Sequence, residues 1–166
     1  IAGLVKGASK GEGLGNKFLS HIREVDSIIE VVRCFEDTNI THVDGGIDSL
    51  RDIETINMEL IFSDIEAVEK KIERSKKLLK ADKKYQFEID TLEKVKNVLN
   101  EGKSARTINL TQEEKDVLKE CFLLTLKPIL YVTNVSENDL GNVEENKEYI
   151  KVKEFAKTEN AEVIPL

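Results

Sequence analysis

A chain of 166 residues is long enough for one domain with a substantial core and short for two independent ones. With 40% apolar and 34% charged residues, the composition indicates a water-soluble globular protein, and no apolar run approaches the roughly 20 residues that a membrane span requires. The formal net charge of −7 argues against indiscriminate nucleic-acid binding by the whole surface. Cys34 and Cys121 lack CxxC spacing, so we expect two reduced thiols. Because the sequence shows neither an export leader nor a membrane span, we expect a cytoplasmic location and no membrane partner.

The chain opens with a glycine-rich segment, IAGLVKGASKGEGLG, which predicts a loop. Phe18, Leu19, Ile22 and Val25 then recur at helical spacing and predict a helix. The β-branched run SIIEVVRCFE predicts a strand covered on both faces, and the polar residues 37–46 predict another loop.

A long helical hairpin is predicted from about Asp48 to Gly102. The apolar seam of its first helix, roughly 30 residues or about 45 Å long, runs through Ile61, Ile65, Val68, Ile72, Ser75 and Leu79. After a polar reversal over 81–84, a second seam suited to antiparallel packing runs through Tyr85, Ile89, Leu92, Val95 and Leu99.

The last third of the chain returns to alternating strands and helices. Thr111 and Glu114 form a capping box that predicts a short helix through Phe122. The run ILYVTNV predicts a second buried strand, residues 143–158 a helix, and AEVIPL the beginning of a third strand. This order predicts an α/β domain with a parallel sheet and an inserted helical hairpin.

Positive charge is concentrated at the predicted turn of the hairpin. Residues 70–84 contain eight basic and two acidic side chains, a local charge of +6 that leaves the rest of the chain near −13. The residues alone leave two readings open, an ion-paired solvated surface or a contact with RNA phosphates through Lys76, Lys77, Lys83 and Lys84. No spacing of His, Cys or acidic residues predicts a metal site in this chain, and no catalytic residue can be assigned.

Several blocks of the sequence resemble one family. IAGLVKGASKGEGLGNKFL, the residues Ile22-Arg23-Glu24, the strand VVRCF, DIETINMEL and LTLKP match blocks of the YchF, or Obg-like ATPase, family of P-loop NTPases. The resemblance covers essentially the whole chain. It implies a partial P-loop NTPase of Ras-like α/β fold, with a mostly parallel sheet and a projecting antiparallel coiled-coil insertion.

The resemblance also implies what the rest of the protein contains. We expect the family's P-loop, first switch and Mg²⁺-holding Asp before residue 1, and its TGS domain after residue 166. These groups position and neutralise the reacting phosphate, so this interior piece should hydrolyse nucleotide negligibly by itself.

The glycine-rich opening matches the family's second switch. Gly3 corresponds to the glycine of its DxxG motif, whose N–H approaches the γ-phosphate, and Leu4 stands where Ras-like proteins carry a water-orienting Gln. The resemblance extends the switch through Lys6, Gly7, Ser9, Gly11 and Gly13.

The tetrapeptide NVSE, at residues 134–137, replaces the NKxD motif that reads guanine in related NTPases. The resemblance implies nucleotide-base contacts by Asn134, Val135 and Glu137. A Glu in place of Asp displaces the carboxylate that would accept from guanine, and adenine can instead bond to backbone groups near Val135. ATP is therefore favoured over GTP.

Together these readings divide the chain into an NTPase core with the second switch (1–50), a coiled-coil hairpin (51–105) and an NTPase core with the base motif (106–166). The whole protein is expected to hydrolyse ATP, with GTP as a second candidate, using Mg²⁺, and to act as a ribosome- or translation-associated switch. The alternative is a non-enzymatic binding module that uses the basic hairpin to contact RNA or protein.

Overall fold

The computed structural model describes residues 15–35 and 46–166. In chain order the helices and strands are α1 (Gly15–Glu24), β1 (Ile28–Arg33), α2 (Ser49–Leu79), α3 (Tyr85–Asn100), α4 (Gln112–Leu118), β2 (Ile129–Asn134), α5 (Lys147–Thr158) and β3 (Glu162–Pro165). Short 3₁₀ segments lie at Ala105–Thr107, Lys119–Cys121 and Leu140–Glu145. Across these described ranges, none of the helices combines the length and the apolar character that crossing a bilayer demands.

The chain forms two compact units. The described residues of the first unit are 15–25 and 57–127, and those of the second are 26–35, 46–56 and 128–166. The boundary between them crosses α2 after Ile56. The division into segments 1–50, 51–105 and 106–166 stays a prediction.

The first unit is built on a pair of antiparallel helices. The predicted helix of roughly 30 residues is observed as the 31-residue α2. Two ion pairs show that α3 runs antiparallel to α2, because the later residue of α2, Lys76, pairs with the earlier residue of α3, Glu93. The second pair joins Glu69 of α2 to Lys96 of α3. The buried core of this unit comprises Ile61, Val68, Ile72, Leu92, Val95, Leu99, Ala105, Leu118 and Leu123. Full burial of each large aliphatic side chain is worth about 1.5–3 kcal/mol, so the seam rather than intrinsic helix propensity stabilises the pair.

Local hydrogen bonds close both ends of α3. Before it, the Asp82 carboxylate accepts the N–H of Lys84 at 2.9 Å and fixes the turn. After it, Gly102 has a φ of +75°, its N–H donates to the Leu99 carbonyl, and the N–H of Lys103 donates to the Val98 carbonyl. This pairing is the Schellman arrangement, and its left-handed position explains the glycine.

The second unit contains a three-stranded parallel sheet in the order β1-β2-β3. Its core comprises Val32, Cys34, Ile53, Ile129, Tyr131, Val135, Val152 and Ala156, which places α5 against one face of the sheet. Ile29 and Val31 point to the other face and are each 63% exposed. The expectation that β1 is covered on both faces is therefore not met within the described residues, because α5 covers only the face that carries Val32 and Tyr131.

Two predicted helix boundaries shift for local reasons. The last helix begins at Lys147 rather than at residue 143, because the side chain of Asn146 accepts the N–H of Tyr149 and caps it there. The helix that Thr111 opens ends at Leu118 and continues as a 3₁₀ turn to Phe122, whose left-handed φ of 47° stops it. The predicted capping box of Thr111 and Glu114 is present.

Candidate functional site

The tetrapeptide NVSE, predicted to contact the nucleotide base, lies where β2 ends. Asn134 is the last residue of the strand and is exposed, and its carbonyl accepts the N–H of Cys34 at 2.8 Å. Glu137, also exposed, has no ion pair within the described part of the chain. In open parallel sheets, ligands bind beyond the carboxyl ends of the strands, which is the position of both side chains.

Val135 is held differently from its neighbours. Its side chain is 6% exposed and belongs to the core of the second unit, and its N–H donates to the Leu166 carbonyl at 3.0 Å. A side chain buried in the core cannot meet a base. None of the described residues donates a hydrogen bond to the Val135 carbonyl. A carbonyl can accept from an exocyclic amino group such as that of adenine.

The basic tip, defined as residues 70–84, contains two kinds of cation. Four of its basic residues are ion-paired, in the pairs Lys70–Glu66, Lys71–Glu120, Lys76–Glu93 and Lys84–Asp82. Lys84 also lies over the ring of Tyr85 at 5.3 Å. Within the ranges that the structure describes, the other four form no ion pair: Arg74, Lys77, Lys80 and Lys83.

This difference divides the predicted contact residues. Lys77 and Lys83 are exposed and electrostatically available, whereas Lys76 and Lys84 already have acidic partners at 3.0 and 3.1 Å. The hydrogen bond with Asp82 raises the pKa of Lys84, which remains cationic. Half of the cations of the tip are thus used in ion pairs of the protein itself, and the contact with RNA phosphates stays a prediction.

A buried carboxylate that sequence reasoning did not single out organises the first unit. Asp64 accepts the N–H groups of Leu124 at 2.9 Å and of Thr125 at 2.8 Å, and the Thr125 hydroxyl donates to it at 2.8 Å. The same hydroxyl accepts the N–H of Ala105 at 3.1 Å, and each oxygen of Asp64 accepts one of the two backbone N–H groups. Both carboxylate oxygens thus act as acceptors, which is the behaviour of the ionised form.

Arg23 supports the same carboxylate from α1. Its guanidinium lies 3.6 Å from Asp64 and donates to the Ser63 hydroxyl at 2.6 Å and to the Phe122 carbonyl at 2.9 Å. Burial raises the pKa of Asp64, while the backbone donors, the Thr125 hydroxyl and the Arg23 charge act in the opposite direction. The sequence signal for this site is slight, an Asp three residues after Ile61 in an apolar seam.

The predicted switch residues Gly3, Leu4, Lys6, Gly7, Ser9, Gly11 and Gly13 lie outside the described residues. Over 15–35 and 46–166, no group of three or more His, Cys, Asp or Glu side chains has an arrangement that would hold a metal ion. The NVSE motif, by contrast, lies within the described residues, at the end of β2 and in the loop that follows it.

Comparisons with known proteins bear on these features. The chain matches no protein-family model. It is 56% identical over 165 residues to the ribosome-binding ATPase YchF of Bacillus subtilis, covering 99% of this chain and 45% of that protein. It is 45% identical over 161 residues to the Obg-like ATPase 1 of Saccharomyces cerevisiae, covering 93% of this chain and 41% of that one. The chain thus spans less than half the length of these relatives.

A solved structure agrees with the sequence comparison. The structure of the Schizosaccharomyces pombe YchF GTPase matches this fold with a TM-score of 0.78 and 39% identity, over 99% of this chain and 46% of that one. An α/β fold with a parallel sheet is common to the prediction and the structure. The resemblance inferred from the sequence is thereby confirmed: over nearly its whole length, this chain is homologous to a segment of the YchF and Obg-like ATPases.

Proposed function

We propose that this chain is the base-reading and second-switch part of a nucleoside triphosphate hydrolase that works in association with the ribosome. Relatives at 45–56% identity are named ATPases, and those called YchF are named for ribosome binding. The observation that carries the proposal is the exposed Asn134 and Glu137 at the carboxyl end of a parallel strand. A cytoplasmic location follows from a ribosomal partner.

In this proposal the base lies against the loop that contains Asn134, Val135 and Glu137. The side-chain amide of Asn134 can both donate and accept, and the Val135 carbonyl suits an amino group at the position where adenine has one and guanine has an acceptor. The longer Glu137 replaces the Asp that grips guanine. ATP is therefore the preferred nucleotide, with GTP as the weaker ligand.

The phosphate end of the nucleotide is assigned to the residues before α1. Gly3 senses the γ-phosphate through its N–H, and Leu4, Lys6, Gly7, Ser9, Gly11 and Gly13 form the segment that responds to it. Mg²⁺ enters with the phosphates, and the described residues contribute no carboxylate cluster that would bind it. A leucine cannot orient the attacking water by hydrogen bonding, so the water must be positioned by other groups.

Equilibrium binding of ATP and GTP to the full-length protein, with Mg²⁺, tests the base assignment. Glu137→Asp should shift the ratio of the two dissociation constants toward GTP by about tenfold, the size expected for one charge-assisted hydrogen bond. Glu145→Asp, which shortens another exposed carboxylate of the same unit, is the matched control and should leave the ratio unchanged. A ratio that Glu137→Asp does not move would remove the base from this loop.

The basic tip supports a second candidate function, binding to RNA phosphates. The four cations of the tip that form no ion pair with any described residue can neutralise several phosphates, and the YchF relatives are named for ribosome binding. As a binding module the hairpin needs no nucleotide chemistry. It is compatible with the first function, since both can reside in one protein.

Charge-neutral variants test the tip directly. Lys77→Gln with Lys83→Gln removes two unpaired cations and should weaken ribosome binding. The slope of log affinity against log salt concentration should become shallower by about 0.7 for each phosphate that is no longer neutralised. Lys76→Gln with Lys84→Gln removes the same charge from two paired lysines and should have the smaller effect. Equal affinities for the wild type and both double variants would mean that the tip is only a solvated surface.

A further inference from the structure

The loop that follows β2 is fastened by one side-chain amide. Nδ2 of Asn146 donates to the Cys34 carbonyl at 2.9 Å and to the Asp139 carboxylate at 3.1 Å, and Oδ1 accepts the N–H of Tyr149 at 3.0 Å. The orientation of this amide follows from its partners, since the reversed amide would direct its oxygen at two acceptors.

These bonds are part of a hydrogen-bond network that surrounds the tetrapeptide NVSE. The Cys34 N–H donates to the Asn134 carbonyl at 2.8 Å, at the beginning of the loop. The Asp139 N–H donates to the Ser136 carbonyl at 3.0 Å, in the middle of the loop. Because Asn146 bonds both Cys34 and Asp139, it connects the two ends of the segment that contains Asn134 and Glu137.

We propose that Asn146 is a positioning residue for nucleotide-base selection, because its amide ties the end of β1 to the loop that contains Asn134 and Glu137. This inference rests on the base-reading function proposed above. A selective contact needs its donors and acceptors held within a few tenths of an ångström. An untethered loop can adjust to either base, so discrimination falls together with affinity.

The side chain has two separable tasks, because the cap of α5 uses Oδ1 and the tether uses Nδ2. Asp and Ser both serve well as helix N-caps, so Asn146→Asp and Asn146→Ser keep the cap and lose the tether. Asn146→Asp also places a carboxylate next to the Asp139 carboxylate and the Cys34 carbonyl. Asn146→Ser leaves these two acceptors without their donor but adds no charge.

The experiment measures ATP and GTP dissociation constants of the full-length protein, with melting temperature as a parallel readout. Both Asn146 variants should weaken ATP binding and lower the ATP-to-GTP preference, each by about tenfold, the loss expected for one to two hydrogen bonds. Combining Asn146→Asp with Asp139→Asn restores the bond between these two side chains with donor and acceptor exchanged, but the Cys34 carbonyl still lacks its donor, so only part of the preference should return. Asn142→Asp adds the same charge at an exposed position of the same unit, five residues beyond Glu137, and should change nothing.

Two results overturn the inference, and they differ. If Glu137→Asp shifts the preference but both Asn146 variants bind like the wild type, or lose only melting temperature, the loop reads the base without the tether. If Glu137→Asp has no effect either, the base-reading function itself fails and the role of Asn146 fails with it.

Discussion

The buried carboxylate of Asp64 gives the sharpest stability prediction. Its two oxygens accept hydrogen bonds from the backbone N–H groups of Leu124 and Thr125, and the exposed fraction of both residues is 0%. Asp64→Ala would leave both donors buried without an acceptor, at about 1–3 kcal/mol each. Since the substitution also removes packing from a closed site, we expect a decrease of about 3–5 kcal/mol in the free energy of unfolding.

Two further variants separate the causes. Asp64→Asn keeps one acceptor but directs an NH₂ group at a donor, so it should cost about 1–3 kcal/mol. Arg23→Ala should cost less, about 1 kcal/mol, because the Arg23 side chain is 26% exposed and lies 3.6 Å from a carboxylate that keeps its three other donors. Glu73→Ala, on the exposed side of the same helix, is the control and should lie within about 0.5 kcal/mol of the wild type.

Urea unfolding followed by far-ultraviolet circular dichroism measures these differences as shifts of the midpoint at constant slope. The predicted order of destabilisation is Asp64→Ala, then Asp64→Asn, then Arg23→Ala. If Arg23→Ala were as costly as Asp64→Ala, the charge pair rather than the backbone donors would be the dominant interaction. If Asp64→Ala matched Glu73→Ala, the account of this site would be refuted.

Three other predictions concern single positions. Gly102→Ala should destabilise by about 1–2 kcal/mol because φ is +75°, whereas Gly141→Ala should be nearly neutral; thermal melts of both variants compare them. Thr111→Ala removes a capping box and should cost about 1 kcal/mol in the same melts, while Thr111→Ser should retain most of it. Burial raises the pKa of Cys34 to about 12 and raises that of Cys121 as well, so at pH 8 neither thiol should react readily with iodoacetamide until urea unfolds the protein; rapid native labelling of Cys34 would contradict its burial. Because the folded pKa of Cys34 exceeds its ordinary value of 9.0, its contribution to stability should be present below pH 9 and lost as the pH rises toward 12, and Cys34→Ala should remove that part of the alkaline slope in urea titrations.

Local signals in the sequence were sufficient for much of the fold. The alternating spacing of four and three residues through Ile61, Val68 and Ile72 predicted the 31-residue helix, because a helix presents such positions on one side. Thr111 with Glu114 predicted a helix start, and Gly102 a helix end, because the groups that satisfy a terminus lie within a few residues of it. The glycine-rich opening, VVRCF and NVSE carried the family resemblance in the same local way.

Tertiary structure decided which polar groups meet. Asp64 and Leu124 are 60 positions apart, and Asn146 and Cys34 are 112 apart, so no spacing rule connects them. The sequence contains eight cations near the hairpin turn. Only the packing of α2 against α3 showed that Lys76 forms an ion pair with Glu93, whereas Lys77 is exposed and pairs with none of the described residues. Likewise, NVSE predicted a base-reading loop, while the hydrogen bond from the Val135 N–H to the Leu166 carbonyl showed that this N–H is already used within the protein. Periodicity and caps are properties of neighbouring residues, whereas hydrogen-bond partners depend on how distant segments fold together, and the candidate site is built from the latter.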